Sequence, residues 1–238
     1  MRSRTAHPAS ILASTLLVGT AMADITGAYV VSYSVTTEDF GGTAVTVDVQ
    51  DLYLASDDAS DVVVNVYNLQ LTAAGEVPYH QSATGTGWAP TNLGGIFDTP
   101  ALRTADSFVT IGGFAQDTLR PEQAPGAGDG IAVDPDFGGN SIDTPTWNAG
   151  WYNSSPPSLA GRIGNVAGPN GGFALGLLIG RFAYEGDFTL EGSTLWTTWN
   201  QGIGTEPVQA GFTVTPAPGA IALLGLGGLA GRRRRAGA

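Results

Sequence analysis

Two neighbouring stretches of alternating residues decide the predicted fold: AVTVDVQ at residues 44–50 and DVVVNVYNLQL at residues 61–71. In the first, Val45, Val47 and Val49 alternate with polar residues, which is the two-residue period of a strand with one buried face. The break between them, DDAS at residues 57–60, is rich in turn formers, so the two stretches predict a β-hairpin. The apolar positions of the second stretch change parity near Tyr67, which predicts a β-bulge.

The same period of two recurs along the chain between residues 24 and 215. Further strands are predicted at residues 29–36, 107–111, 172–184, 188–190, 194–199 and 208–214. No window has the apolar spacing of an amphipathic helix. We therefore expect an all-β fold, an antiparallel β-sandwich of the jelly-roll or immunoglobulin-like type. Residues 114–171 contain ten glycines and seven prolines and predict long loops, with short edge strands as the alternative.

Composition excludes several classes of protein. The chain of 238 residues has 35 glycines and 14 prolines, which argues against a helical bundle, while 42% hydrophobic residues suffice for a core. It has no cysteine, which excludes disulfides, thiolate metal sites and cysteine nucleophiles. All ten basic residues are arginines, against 21 acidic residues.

The first 23 residues have the order of features of a secretory signal peptide. Arg2 and Arg4 precede an apolar stretch at residues 11–18, and Ala21 and Ala23 provide the small residues that a signal peptidase needs. The sequence thus predicts cleavage after Ala23 and a mature chain that begins at Asp24.

The other end of the chain carries a second signal of three parts. Pro216, Ala217 and Pro218 precede a short segment of small and apolar residues, and Arg232, Arg233, Arg234 and Arg235 follow it. The apolar segment is shorter than the ~20 residues of a comfortable membrane helix. The arginines favour the cytoplasmic side, so residues 24–215 are expected outside the membrane. The predicted organisation is a signal peptide (1–23), an extracytoplasmic domain (24–215) and a sorting or anchor segment (216–238).

This tail resembles the PEP-CTERM sorting signal of diderm bacteria. The resemblance implies recognition by an exosortase, a membrane protease that cuts near the proline motif and releases or re-attaches the body at the surface. It also implies a place at the outer surface or in the extracellular polysaccharide and biofilm matrix, after a transient or permanent membrane tether. Ala217 stands where the family has glutamate, and a plain single-span anchor is the alternative.

Short stretches of the body, at residues 106–112, 150–153 and 199–202, are similar to secreted bacterial surface proteins with the same kind of tail. This resemblance implies a surface protein and transfers no site residues.

Between the two signals the chain is strongly acidic, because all 21 acidic residues lie there with only four of the arginines. Such a surface repels phosphate backbones, so no nucleic acid is expected as a partner. Cations are more plausible partners for this surface. The alternative explanations of the acidity are solubility in salty water and the base composition of the genome.

Four oxygen-bearing residues on a glycine-rich stretch form the candidate calcium site: Asp129, Asp134, Asp136 and Asn140. Calcium takes six to eight oxygen ligands at loosely constrained angles, but the spacing here is not that of an EF-hand. Ordinary solvated acidic residues are the alternative. The turn with Asp57, Asp58 and Asp61 is a second, weaker candidate.

Aromatic residues in glycine- or proline-rich stretches form the candidate sugar-stacking set: Trp88, Trp147, Trp151 and Tyr152. An indole can stack on the apolar face of a sugar ring, and the alternative is that these rings cover the core. Trp196 and Trp199, three apart in a predicted strand, are expected on opposite faces and read as core residues.

No catalytic motif is present. His80 is the only histidine after residue 23, and G-x-S-x-G, H-E-x-x-H and P-loop patterns are absent. We therefore predict a non-catalytic, exported envelope or matrix protein without a required cofactor. Its expected partners are a signal peptidase, an exosortase-type enzyme and extracellular polysaccharide. A carbohydrate- or calcium-binding module is the main alternative, and a glycan-active enzyme with two carboxylates is a further one.

Deleting residues 232–235 tests the predicted sorting signal at the end of the chain. Without the four arginines, we expect the body to be released into the medium unsorted. Fractionation and immunoblotting of cells and medium would measure this release. Normal arrival of the truncated protein at the surface would contradict the sorting interpretation.

Overall fold

The computed structural model describes residues 24–38, 41–72, 87–88, 99–112, 131–134, 148–154, 161–168, 172–202 and 206–217. In this part of the chain, the short helix α1 (Pro100–Thr104) accompanies ten strands. The all-β prediction is confirmed. The strands are β1 (Ile25–Glu38), β2 (Ala44–Ser56), β3 (Asp61–Gln70), β4 (Phe108–Val109), β5 (Ile131–Val133), β6 (Ala149–Asn153), β7 (Gly164–Ala167), β8 (Phe173–Tyr184), β9 (Thr194–Gln201) and β10 (Pro207–Pro216).

All ten strands belong to one hydrogen-bonded sheet in the order β4-β8-β2-β1-β10-β9-β3-β6-β5, with β7 paired to β8. Strand β10 pairs antiparallel with β9 over residues 207–213 and parallel with β1 over residues 214–216. We call β4, β8, β2, β1 and β7 the first half of the sheet, and β9, β3, β6 and β5 the second half. Strand β10 joins the two halves.

The sheet curls until its ends nearly meet. The backbone N–H of Gly161 donates to the carbonyl of Ile111, just after β4, and the Gly161 carbonyl accepts from Val63 N–H in β3. Gly161 has a φ of +85°, and a Cβ there would collide with the Val63 carbonyl oxygen. Only glycine fits at this closing point, because it has no Cβ and tolerates positive φ.

One large apolar core draws residues from both halves. Leu52, Leu54 and Phe182 come from the first half, and Val66 and Trp199 come from the second. All five side chains are almost completely buried. Burial at about 25 cal/mol per Å² of apolar surface is the main force that holds the halves together.

The predicted hairpin is wrong, although both of its strands exist. Strand β2 pairs with β1 and β8, whereas β3 pairs with β9 and β6, so the turn at residues 57–60 leads from one half to the other. The crossing brings Leu54 of β2 and Val66 of β3 into the same core from different halves, and both side chains are fully buried. The predicted bulge is confirmed: the register of β3 shifts between Tyr67 and Gln70, and Asn68 has a φ of 52°.

The segment predicted as long loops contains three strands. Strands β5 and β7 each pair with one neighbour, as the edge-strand alternative expects, while β6 lies between β3 and β5. The strand predicted at residues 188–190 does not form. There the side chain of Gln50 replaces a strand partner, because its Nε2 donates to the Phe188 carbonyl and its Oε1 accepts from Leu190 N–H.

We expect Gln50→Leu to lower the free energy of unfolding by about 2–4 kcal/mol. Gln50 is 3% exposed, and leucine would leave the Leu190 N–H and the Phe188 carbonyl without their buried partner. Denaturant unfolding would measure the change, with Gln70→Leu as the control, since the Gln70 amide makes only a long, exposed contact with Asn148. Equal effects of the two substitutions would contradict this role of Gln50.

Candidate functional site

The outer side of the second half carries an unbroken set of aromatic and uncharged polar side chains. Residues directly opposite each other in paired strands share a face. Tyr67 of β3 lies opposite Trp196 of β9, which lies opposite Gly211 of β10. In the next row, Tyr152 of β6 lies opposite Asn65 of β3.

Asn65 is in turn opposite Thr198 of β9, and Thr198 is opposite Gln209 of β10. The two rows are adjacent, because positions two apart in a strand share a face. We name this surface the aromatic face, which consists of Tyr67, Tyr152, Trp196, Asn65, Thr198, Gln209 and Gly211.

Two of the three rings are open to solvent. Trp196 is 42% exposed and Tyr152 is 49% exposed. The rings of Tyr67 and Trp196 are neighbours, with centroids 6.3 Å apart and planes inclined by 37°. Such a platform offers apolar ring surface to a flat ligand without burying the ligand in a cavity.

Gly211 fixes the position of the Trp196 indole. A Cβ on Gly211 would lie 2.8 Å from Cε2 and 3.0 Å from Nε1 of Trp196, so the indole lies directly on the glycine backbone. Any larger residue at 211 would lift the ring from the sheet.

The polar groups of the face are partly ordered by one another. The Tyr67 hydroxyl donates to Gln209 Oε1 at 3.0 Å, and Asn65 Oδ1 accepts from Thr198 N–H at 3.1 Å. The Gln209 amide nitrogen is thereby turned away from Tyr67, and its side chain is exposed. The face thus combines ring surfaces with a side-chain amide at its border.

The first half carries an ion pair of a different character. Arg181 Nε donates to Asp51 Oδ1 at 2.7 Å, and the Tyr33 hydroxyl donates to Asp51 Oδ2 at 3.1 Å. Burial and the Asp51 carboxylate raise the pKa of Tyr33. Burial lowers the pKa of Arg181, but the neighbouring Asp51 carboxylate raises it by more, so the net effect is a raised pKa for Arg181. This group is a structural ion pair with little capacity left for a ligand.

The sugar-stacking prediction is wrong for two of its four residues. Trp88 and Trp151 are each 1% exposed, and Trp151 Nε1 donates to the Thr110 carbonyl at 2.8 Å. Their rings fill the core, which is the alternative that the sequence left open. Tyr152 is exposed on the aromatic face, and Trp147 lies outside the described residues.

Trp196 and Trp199 lie on opposite faces, as their spacing predicts. The core interpretation holds for Trp199, which is 2% exposed, but it is wrong for Trp196. Strand parity indicated that one ring faces outwards, but not which one. The glycine opposite Trp196 was the missed signal, since a glycine in a strand marks a place where another group approaches closely.

Of the candidate calcium ligands, only Asp134 is described, at the end of β5. Its N–H donates to the Gly150 carbonyl at 3.0 Å, and its side chain is half-buried. Asp129, Asp136 and Asn140 lie outside the described residues. Within the described ranges, no group of three or more acidic or histidine side chains is arranged to hold a metal ion.

The proline motif begins inside the folded body. Pro216 is the last residue of β10 and lies opposite Val30, and Ala217 donates its N–H to the Val30 carbonyl at 3.0 Å. Ala217 is 8% exposed and packs with Tyr29 and Tyr53. The remaining residues of the predicted signal peptide and sorting signal lie outside the described residues: Ala21, Ala23, Pro218, Arg232, Arg233, Arg234 and Arg235.

Comparisons with protein-family models, with curated proteins and with solved structures give no match. In the described ranges, no helix has the length and apolar character needed to cross a membrane.

Gly211→Ala is expected to displace the Trp196 ring while leaving the fold intact, because the new methyl group would overlap the indole. The emission spectrum of the tryptophans and its quenching by acrylamide would report the displacement. Gly27→Ala is the control, since a Cβ there meets nothing within 4 Å. A Gly211→Ala spectrum identical to that of the wild type would contradict the described contact.

Proposed function

We propose that the chain is an exported, non-catalytic protein of the cell envelope or extracellular matrix that binds polysaccharide through the aromatic face. The proposal rests on one observation: Tyr67, Trp196 and Gly211 form a row across three strands, and the exposed Tyr152 lies in the adjacent row. Aromatic rings on a sheet surface present apolar area at low entropic cost, because they have few rotatable bonds.

The chemistry of the face favours a neutral polysaccharide over an anionic one. None of its seven residues carries a charge at neutral pH, and the whole chain has a formal net charge of -11. Anionic chains would be repelled by the protein as a whole, whereas neutral sugars meet no such penalty. The exposed Gln209 amide adds a hydrogen-bonding group for sugar hydroxyls.

The face supports binding and offers no acid–base pair. A glycosidase needs two carboxyl groups at a set separation, and the seven residues of the face include none. This supports the predicted non-catalytic protein over the alternative of a glycan-active enzyme.

Export and sorting are part of the same proposal and are supported by the sequence at both ends. The signal-peptide pattern of residues 1–23 and the tail with Pro216, Ala217, Pro218 and the four arginines both favour a body outside the cytoplasm. A signal peptidase and an exosortase-type enzyme are the proposed processing partners.

We also propose that the two halves of the sheet act as the two layers of a β-sandwich. The support is the shared core, in which Leu54 and Phe182 of one half join Val66 and Trp199 of the other. In this arrangement the aromatic face is the outer surface of one layer, and the sandwich core holds it rigid.

Alanine substitution at the aromatic face tests the binding proposal. We expect Trp196→Ala to weaken binding to the producing cell's neutral polysaccharide about tenfold or more, because a central aromatic anchor is lost. Tyr67→Ala and Tyr152→Ala are expected to have smaller effects in the same direction. Co-sedimentation with the purified polysaccharide measures the affinity.

Phe173→Ala is the matched control, since Phe173 is 77% exposed but lies at the start of β8 in the first half. Binding should be equal in calcium and in chelator, because the face has no carboxylate. Undiminished binding by a folded Trp196→Ala protein, or equal loss with Phe173→Ala, would contradict the proposal.

A further inference from the structure

Four aspartates gather where β1 and β3 begin and β2 ends. We name them the aspartate cluster: Asp24, Asp57, Asp58 and Asp61. The N–H of Asp24 donates to Asp57 Oδ1 at 2.7 Å, and the N–H of Asp57 donates back to the Asp24 carbonyl at 3.2 Å. Gln201 of β9 donates to Asp24 Oδ1 at 3.0 Å. The start of β1 is therefore held by the turn between β2 and β3.

Asp61 is the buried member of the cluster. Its relative exposure is 0%, and its Oδ2 accepts from Ser56 Oγ at 2.7 Å, whereas its Oδ1 has no hydrogen-bond partner among the residues that the structure describes. Burial raises the pKa of Asp61. The hydrogen bond from Ser56 lowers it, whereas the carboxylates of Asp58, Asp57 and Asp24 raise it further. A buried carboxylate oxygen without a donor is costly, so the cluster is short of a positive donor.

No basic side chain in the described ranges supplies that donor. None of the four aspartates forms an ion pair there, and the ion pair of Arg181 is made with Asp51. Arg162 lies beside Val62 in an isolated β-bridge, but its side chain is exposed. The cluster also lacks the arrangement of a metal site in the part of the chain that is described.

We propose that the cation of the aspartate cluster is the chain's own α-ammonium group on Asp24, which appears when residues 1–23 are removed. This inference rests on the export step of the proposed function, with cleavage after Ala23. In the precursor the nitrogen of Asp24 is a neutral amide with one N–H. In the mature chain it is an ammonium with three N–H groups and a positive charge.

The geometry at Asp24 suits this change. The nitrogen is already within hydrogen-bond distance of Asp57 Oδ1, and that bond becomes charge-assisted after cleavage. Two further donors become available beside a cluster in which Asp61 Oδ1 has none. Removal of the leader therefore stabilises the edge of the folded body, so that the mature protein is more stable than its precursor.

The experiment compares the full body and tail beginning at Asp24 with the same protein that retains Ala23, and with an N-acetylated Asp24 form. Each form is prepared in the wild type, in Asp57→Asn and in Asp61→Asn. The melting temperature of the Asp24 form should exceed those of both other forms by about 2–4 °C. The pKa of its α-amino group, measured by NMR titration, should lie above the usual range of about 7.7–8.0.

Both substitutions should reduce the temperature difference between the forms. Asp48→Asn is the control and should preserve it, because Asp48 is exposed and bonds to Ser34 outside the cluster. Equal melting temperatures together with an ordinary α-amino pKa would overturn the proposal.

Two further outcomes would overturn this inference without affecting the proposed polysaccharide binding. Mass spectrometry of the exported protein identifies its first residue, and a first residue other than Asp24 would overturn the inference. Polysaccharide binding by Trp196 is tested separately by the alanine substitutions. A rise in melting temperature with calcium that Asp61→Asn abolishes would assign the cluster to a metal ion, which also overturns it.

Discussion

The fold depends on the passage of β10 from one half of the sheet to the other. Its first seven positions pair with β9, and its last three pair in parallel with Ala28, Tyr29 and Val30 of β1. At the crossing point, Val214 is 1% exposed, its N–H donates to the Ser193 carbonyl and its own carbonyl accepts from Gly192. A three-residue parallel pairing is weak by itself, so it persists because Val214 is buried in the core that both halves share.

The same strand contributes to the aromatic face and to the core. Because successive side chains alternate between faces, Gln209 and Gly211 take part in the aromatic face while Val214 points into the core. The strand ends at Pro216, which pairs with Val30 of β1, and Ala217 donates its N–H to the Val30 carbonyl. The strand that contributes Gln209 and Gly211 to the proposed binding face therefore also contains the first residue of the proposed sorting motif.

The sequence predicted what local periodicity controls. Strand alternation around Val47 and the parity change near Tyr67 both reappear, because each depends on neighbours in the chain. The sequence did not predict which strands pair. Strands β2 and β3 follow each other in the chain but lie in different halves of the sheet, because their pairing depends on contacts between residues distant in sequence. Likewise, glycine-rich surroundings suggested that Trp88 and Trp151 are exposed, whereas the shared core buries them and leaves Trp196 outside. The composition of a segment does not determine the direction of its side chains.

We propose that Trp196 is the tryptophan that contacts polysaccharide. Two-dimensional NMR of the indole N–H groups, recorded while the producing cell's neutral polysaccharide is added, tests it directly, since the chain has five tryptophans. Our account predicts that the Trp196 signal shifts or broadens, while the buried Trp88, Trp151 and Trp199 signals stay in place. Saturating polysaccharide that leaves the Trp196 signal unchanged would contradict the account.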